Sequence, residues 1–140
     1  MKLIPYIMFP GNAEEAMNFY KECLNGEIKD LGRYGEAPID SPEDFKDKVM
    51  HSRFVFGDNT IMVSDAMPHH GYSETSGSNI QMSVDVPDET ELDSVFEKIS
   101  KGGQVTMAMQ DTFWGARFGM VTDKFGVKWM FNHDKKPENS

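Results

Sequence analysis

His51 opens a predicted strand and shares one face of it with Arg53 and Val55. An imidazole titrates near neutrality, so His51 is the catalytic candidate as general acid or base. A strand histidine hydrogen-bonded within its own sheet has the same signature in sequence. Asp65 ends the next predicted strand, where it could reach His51 or cap the turn that follows. Further on, Phe113, Trp114 and Arg117 surround a turn at Trp114-Gly115. Trp offers a flat face with a donor edge, and Arg a planar fork for carboxylate or phosphate. Together they suit a small aromatic or anionic ligand, or else a rim cluster at a sheet edge or subunit contact. His69 and His70 are adjacent beside Pro68 and Gly71, but a native metal site needs three or four convergent ligands. Cys23 falls on the core-facing side of a helix and reads as a small hydrophobe. No GxSxG, Walker-type loop or GxGxxG follows a strand.

The elements that must position these residues come in two copies. NAEEAMNFYKECLNG (12–26) and DETELDSVFEKISKG (88–102) both open on a cap-type residue, Asn12 or Asp88, and carry Glu at the third helical position. Both end on glycine, Gly26 or Gly102, as a left-handed helix end favours. Ala16, Tyr20 and Cys23 share one helical face, as do Leu92, Phe96 and Ile99, at a constant offset of 76 positions. Strands are predicted at 3–9, 27–34, 49–56 and 60–65, and again at 79–86, 104–110, 116–122 and 127–132. Each half is therefore β-α-β-β-β: module one at 1–65, a linker at 66–77, module two at 78–133 and a polar tail at 134–140. The loop 35–47, with Pro38 and Pro42, is an insertion peculiar to the first half. Strand alternation places Tyr6 and Met8 under the first helix, with Pro5, Ile7 and Phe9 on the other face. Met82, Val84 and Val86 pack under the second, leaving Gln81, Ser83 and Asp85; Val127, Trp129 and Phe131 pack likewise, leaving Lys128, Met130 and Asn132. An open face mixing polar and apolar groups is what a cavity lining looks like.

Composition narrows the partners. The chain has 140 residues, 39% of them hydrophobic, and a formal net charge of −9. That charge argues against nucleic acid, whose phosphates need clustered Lys and Arg. No apolar run approaches the ~20 residues of a membrane span, and MKLIPYIMF lacks the small-residue cleavage site of a signal peptide. A single cysteine cannot form an internal disulfide, so a cytoplasmic location is expected. Two half-open sheets leave edges that a homodimer would cover.

Three phrases carry a resemblance: PYIMFPGNAEEAMNFY, MHSRFVFGDNTIMVSDA and QDTFWGARFGMVTDKFGVKWMF. They resemble the PhnB-like branch of the vicinal oxygen chelate superfamily, which includes glyoxalase I, extradiol dioxygenases and bleomycin resistance proteins. The last phrase, WGxRxG followed by DxFGxxW, is long and unusual. The resemblance implies an α+β fold in which two tandem βαβββ modules form a curved mixed sheet around a cavity. Metal-dependent relatives place a ligand, usually His, near the start of each module's first strand and a carboxylate on each last strand. Those positions fall here on Pro5, Gln81, Met130 and either Val63 or Ser64. Pro and Met cannot replace imidazole or carboxylate on a hard or borderline metal, so no metal or other cofactor is expected. The residues expected to contact a ligand are Gln81, Phe113, Trp114, Arg117, Met130 and Asp65. The implied function is small-molecule binding or metal-independent catalysis. Sequestration of a cationic or aromatic antibiotic and a metal-dependent isomerase or dioxygenase are the alternatives. Such sequences also carry the label demethylubiquinone methyltransferase, which the lack of a Gly-rich nucleoside turn discounts.

Overall fold

Apolar residues at helical spacing over 12–26 and 88–102 fold as two helices, α1 (Ala13–Leu24) and α2 (Glu89–Ser100). A computed structural model describes residues 2–67 and 80–135 of the protein, so His69 and His70 lie outside the described residues. The strands are β1 (Tyr6–Phe9), β2 (Glu27–Arg33), β3 (Val49–Phe56), β4 (Asn59–Asp65), β5 (Met82–Asp85), β6 (Gln104–Asp111), β7 (Ala116–Thr122) and β8 (Lys128–Asp134). They form two four-stranded mixed sheets, ordered β1-β4-β3-β2 and β5-β8-β7-β6. In each, the strand before the helix pairs in parallel with the last strand, and the other pairings are antiparallel. The fold is α+β, two tandem βαβββ modules, and the chain divides into two compact units, Met1–Thr75 and Ser76–Ser140. The insertion contributes two single turns of 3-10 helix, Tyr34–Glu36 and Glu43–Phe45, whose Tyr34 and Phe45 rings lie 5.3 Å apart.

Each sheet buries one face under its own helix. In module one Phe9, Met17, Tyr20, Val49, Phe54, Ile61 and Val63 are buried; in module two Val86, Leu92, Phe96, Ile99, Val121, Trp129 and Phe131 are. Burial of each large side chain contributes about 1.5–3 kcal/mol. The expected packing of β5 and β8 holds, with Val86, Trp129 and Phe131 in the core.

The expected facing of β1 does not hold. Phe9 is 2% exposed, whereas Tyr6 is 50% and Met8 46% exposed, so Ile7 and Phe9 take the helix side. The reason is one residue in the connection to α1. Phe9-Pro10-Gly11-Asn12 does the work of Val86-Pro87-Asp88, with Gly11 at φ 118° as the extra residue. The buried strand residues are therefore offset by 77 positions and the helices by 76, and a one-residue shift turns every strand side chain to the other face.

Two helix ends also differ from expectation. Asp88 accepts the Glu91 N–H at 2.9 Å as a cap, but Asn12 makes no side-chain cap. Instead the first helical N–H, from Ala13, donates to Asp65 Oδ1 at 2.9 Å across the module. At the other end the left-handed residue is Asn25, at φ 54°, not Gly26. Gly26 is needed for space, since a Cβ there would overlap the Phe54 ring and crowd the Val55 carbonyl.

Arg33 closes the first turn of α1 from outside, donating from Nη1 and Nη2 to both Glu14 oxygens at 2.9 and 3.0 Å. These hydrogen bonds hold the Glu14 carboxyl below the usual carboxylate range, against a smaller opposing effect of burial. A depressed carboxyl pKa gives stability that is full above the unfolded value and lost as pH falls through the lower folded value. Glu14 is 46% exposed, so Glu14→Gln is expected to cost only about 0.5 kcal/mol at neutral pH. The gap should narrow as pH falls below the ordinary glutamate range and close below the lowered folded value, read from urea midpoints of both proteins at neutral and acid pH.

Candidate functional site

The face of each sheet not covered by its helix carries the groups able to bind a ligand. In module one, strand register sets them side by side. Arg53 on β3 stands opposite Met62 on β4, and Met62 opposite Tyr6 on β1; Met8 lies two residues beyond Tyr6. His51 precedes Arg53 by two residues on the same face, half-buried, with its ring 6.5 Å from that of Tyr6. Arg53 Nε donates to Asp30 Oδ2 at 2.7 Å.

In module two the same side is more apolar. Met107, Met120 and Met130 pair in sequence across β6, β7 and β8, and Met130 pairs with Ser83 on β5. The next row runs Gln110, Phe118, Asn132, Asp85. Asn132 Nδ2 donates to Asp85 at 3.2 Å and Asp134 at 3.1 Å. The Thr112–Gly115 turn hangs its aromatics beside this face: Trp114 meets Phe118 edge-on at 6.0 Å, and Phe113 meets Trp114 at 5.0 Å. Phe113 is 97% exposed. Unbranched thioethers beside aromatic rings form a surface that adapts to varied ligand shapes.

The residues expected to form a site come from both modules. Trp114, Phe113, Met130 and, by strand phase, Gln81 belong to the helix-free side of module two. His51 belongs to that of module one. Two residues leave the set. Arg117 pairs with His133 in register with the buried Phe131 row, which puts it on the α2 side. There its Nε donates to Asp93 at 2.9 Å and its Nη1 to Asp111 at 3.4 Å. Asp93 first, then Asp111, hold the guanidinium further up in pKa, and Lys135 adds a 2.9 Å ion pair to Asp111. The fork is committed to carboxylates that brace the end of the β6–β7 hairpin against α2. Asp65 does not reach His51. It is 1% exposed and points to the core side, where its two oxygens accept the N–H groups of Ala13 and Val49, each at 2.9 Å. Tyr34 donates its hydroxyl to the Asp65 carbonyl at 2.7 Å.

Sequence reasoning missed Tyr6, Met8, Phe118 and Met120. Tyr6 and Met8 were masked by the phase of β1. Phe118 and Met120 alternate with buried residues on β7, a period-2 signal that was there to be read.

The family model described as 3-demethylubiquinone-9 3-methyltransferase matches residues 1–131. The chain belongs to this family, a PhnB-like one. The PhnB-like chain is 36% identical to protein YjdN of Escherichia coli over 94% of its own length and 95% of that protein. A crystal structure from Bacillus cereus, described as a putative 3-demethylubiquinone-9 3-methyltransferase, PhnB protein, superposes with a TM-score of 0.79 at 30% identity. The match covers 95% of this chain and 99% of that one. A glyoxylase/bleomycin resistance protein/dioxygenase domain from Frankia sp. superposes at 0.69 with 15% identity, over 99% and 96% of the two chains, and shows the shared fold alone.

The superfamily's metal does not fit the residues of this PhnB-like chain. The slip in β1 matches Gln81 to Ile4 rather than to Pro5, and the strand positions next to them are Tyr6 and Ser83. Val63 is buried in the core, and Met130 offers only a thioether. Among the described residues no group of three or more His, Cys, Asp or Glu side chains could hold a metal ion. No helix among them is long and apolar enough to cross a membrane.

Proposed function

We propose that the protein binds a small molecule on the helix-free faces of its sheets, without a metal, and that His51 is the acid–base group of any reaction there. One observation carries this reading. Each module covers one face of its sheet with its helix, yet keeps Tyr6, His51 and Arg53, or Trp114, Phe118, Met120 and Met130, on the other. A few convergent polar groups on an apolar surface are what small-molecule sites are built from. A methyltransferase of the common type needs a glycine-rich turn after a parallel strand; here β1 leads to α1 through Pro-Gly-Asn and β5 to α2 through Val-Pro-Asp. Sequestration without turnover is the second reading, favoured by the exposed Trp114–Phe118 contact at 6.0 Å. Product formation separates it from catalysis.

A homodimer and a cytoplasmic location complete the proposal. Edge strand β6 exposes Val105 and Met107, which a second copy would cover, and the lone Cys23 is buried.

The test is a thermal-shift screen of small acids, aromatics and divalent metals. A ligand that binds only the folded state raises Tm; at 100-fold over Kd the stabilisation is about 2.7 kcal/mol. A hit should lose its shift in His51→Ala or Trp114→Ala. Hits that keep their full shift in both variants sink the site. Tight stoichiometric binding of a divalent ion sinks the metal-free reading.

A further inference from the structure

We propose that the helix-free face of module one is an oxyanion-binding site, in which Arg53 contacts a carboxylate-type group of the ligand and Asp30 positions Arg53. The inference rests on the small-molecule reading above and names the chemistry of one part of that site. Three hydrogen-bond donors share this face. Arg53 and Tyr6 lie in one row through Met62, and His51 lies in the next, 6.5 Å ring to ring from Tyr6. Neither His51 nor Tyr6 hydrogen-bonds another described residue through its side chain.

Arg53 is held in an unusual way. Its Nε and Nη2 close on a single oxygen, Asp30 Oδ2, at 2.7 and 2.6 Å, which leaves Nη1 outside the pair. Asp30 sits in the β2 bulge between Lys29 and Gly32, at φ 54°. The left-handed backbone there is one that aspartate tolerates, and an exposed ion pair contributes little to stability. Stability alone therefore does not account for an aspartate gripping one edge of an arginine. Fixing the guanidinium so that its other edge is presented to a planar oxyanion does account for it. The other charges near this row are Lys29, opposite Arg53 on β2, and Glu27, 3.7 Å from Lys29. Module two supplies an internal contrast: its β7 carries Phe118 and Met120 on the helix-free side, where β3 carries Arg53. The proposed oxyanion site is that of module one; the cation on the corresponding face of module two is Lys128, at the start of β8.

The test is a pair of NMR titrations of the 15N-labelled protein, with benzoate and with benzyl alcohol, which differ in the oxyanion. Benzoate should shift the amides of 29–32 and 51–53 and bind about tenfold tighter than the alcohol. Arg53→Gln should erase that preference; Arg53 is surface-exposed enough for the variant to fold. Asp30→Asn keeps a residue tolerant of the left-handed region and removes only the charge. It should broaden the Arg53 Nε–H signal and cut the preference for benzoate by about threefold, although a nearby negative charge has gone. A rise in preference would overturn the positioning role. Equal binding of the two probes, an unchanged preference in Arg53→Gln, or benzoate shifts absent from β2 and β3 would overturn the oxyanion site. Such results would leave the small-molecule reading to its own screen, where neutral ligands responding to His51→Ala or Trp114→Ala still support it.

Discussion

Asp123→Ala is expected to lower the unfolding free energy by about 3–5 kcal/mol, read as a lower urea midpoint at unchanged slope. Asp123 is 3% exposed and stands at the turn between β7 and β8. Its Oδ1 accepts the N–H groups of Phe125 at 2.8 Å and Val127 at 3.0 Å, and its Oδ2 accepts the Trp129 indole N–H at 2.9 Å. Alanine would leave three donors without this acceptor, each costing about 1–3 kcal/mol when water cannot replace it. The backbone donors lie at a turn that water reaches in part, which keeps the total below the maximum. Trp129 is 1% exposed and stacks on Phe131 with centroids 6.0 Å apart, so its indole has no route to solvent. Asp123→Asn keeps an oxygen for the turn but sets an amide against the indole, and should cost about 1–2 kcal/mol. The DxFGxxW phrase is thus a scaffold element: the carboxylate shapes the turn and orients the core tryptophan. A loss below about 1 kcal/mol in the alanine variant would return the motif to the list of ligand-binding candidates.

Asp65→Ala is expected to be as damaging, at about 3–5 kcal/mol. The carboxylate joins three elements of module one: it ends β4, receives the first N–H of α1 and receives the N–H of Val49 at the start of β3. Removing it orphans two backbone donors in a place that is 1% exposed and releases the helix terminus that Asn12 does not cap. Asp65→Asn retains one acceptor and should lose about half as much. The same pair of variants separates scaffold from site. A folded, fully stable Asp65→Ala that no longer responds to ligand would restore the contact role that its place on the strand next to that of His51 had invited.

Much of the fold was legible because its signals are local. The repeat, both helices and the bounds of β3 and β7 follow from apolar periodicity and from turn residues such as Gly57-Asp58. The site was legible in part. Met130 stands on the helix-free side of module two as strand alternation implied, and Trp114 meets Phe118 of that side from the turn. Arg117 was misread because an arginine beside a Trp-Gly turn has the same sequence whether it faces a ligand or three carboxylates at the α2 and β6 ends. Asp65 was misread because neighbouring strands bring it near His51 in the sheet, while their pleat puts the two side chains on opposite faces.

The sequence by itself determined that two βαβββ units exist and that each must have one covered and one uncovered sheet face. That follows from periodicity, which is a property of adjacent residues. Only the tertiary structure decided which face of β1 is covered, because Tyr6 and Met8 could pack under a helix as Ile7 and Phe9 do and the alternation has no sign of its own. One extra glycine before α1 sets that sign, and with it brings Tyr6 beside His51 and Arg53.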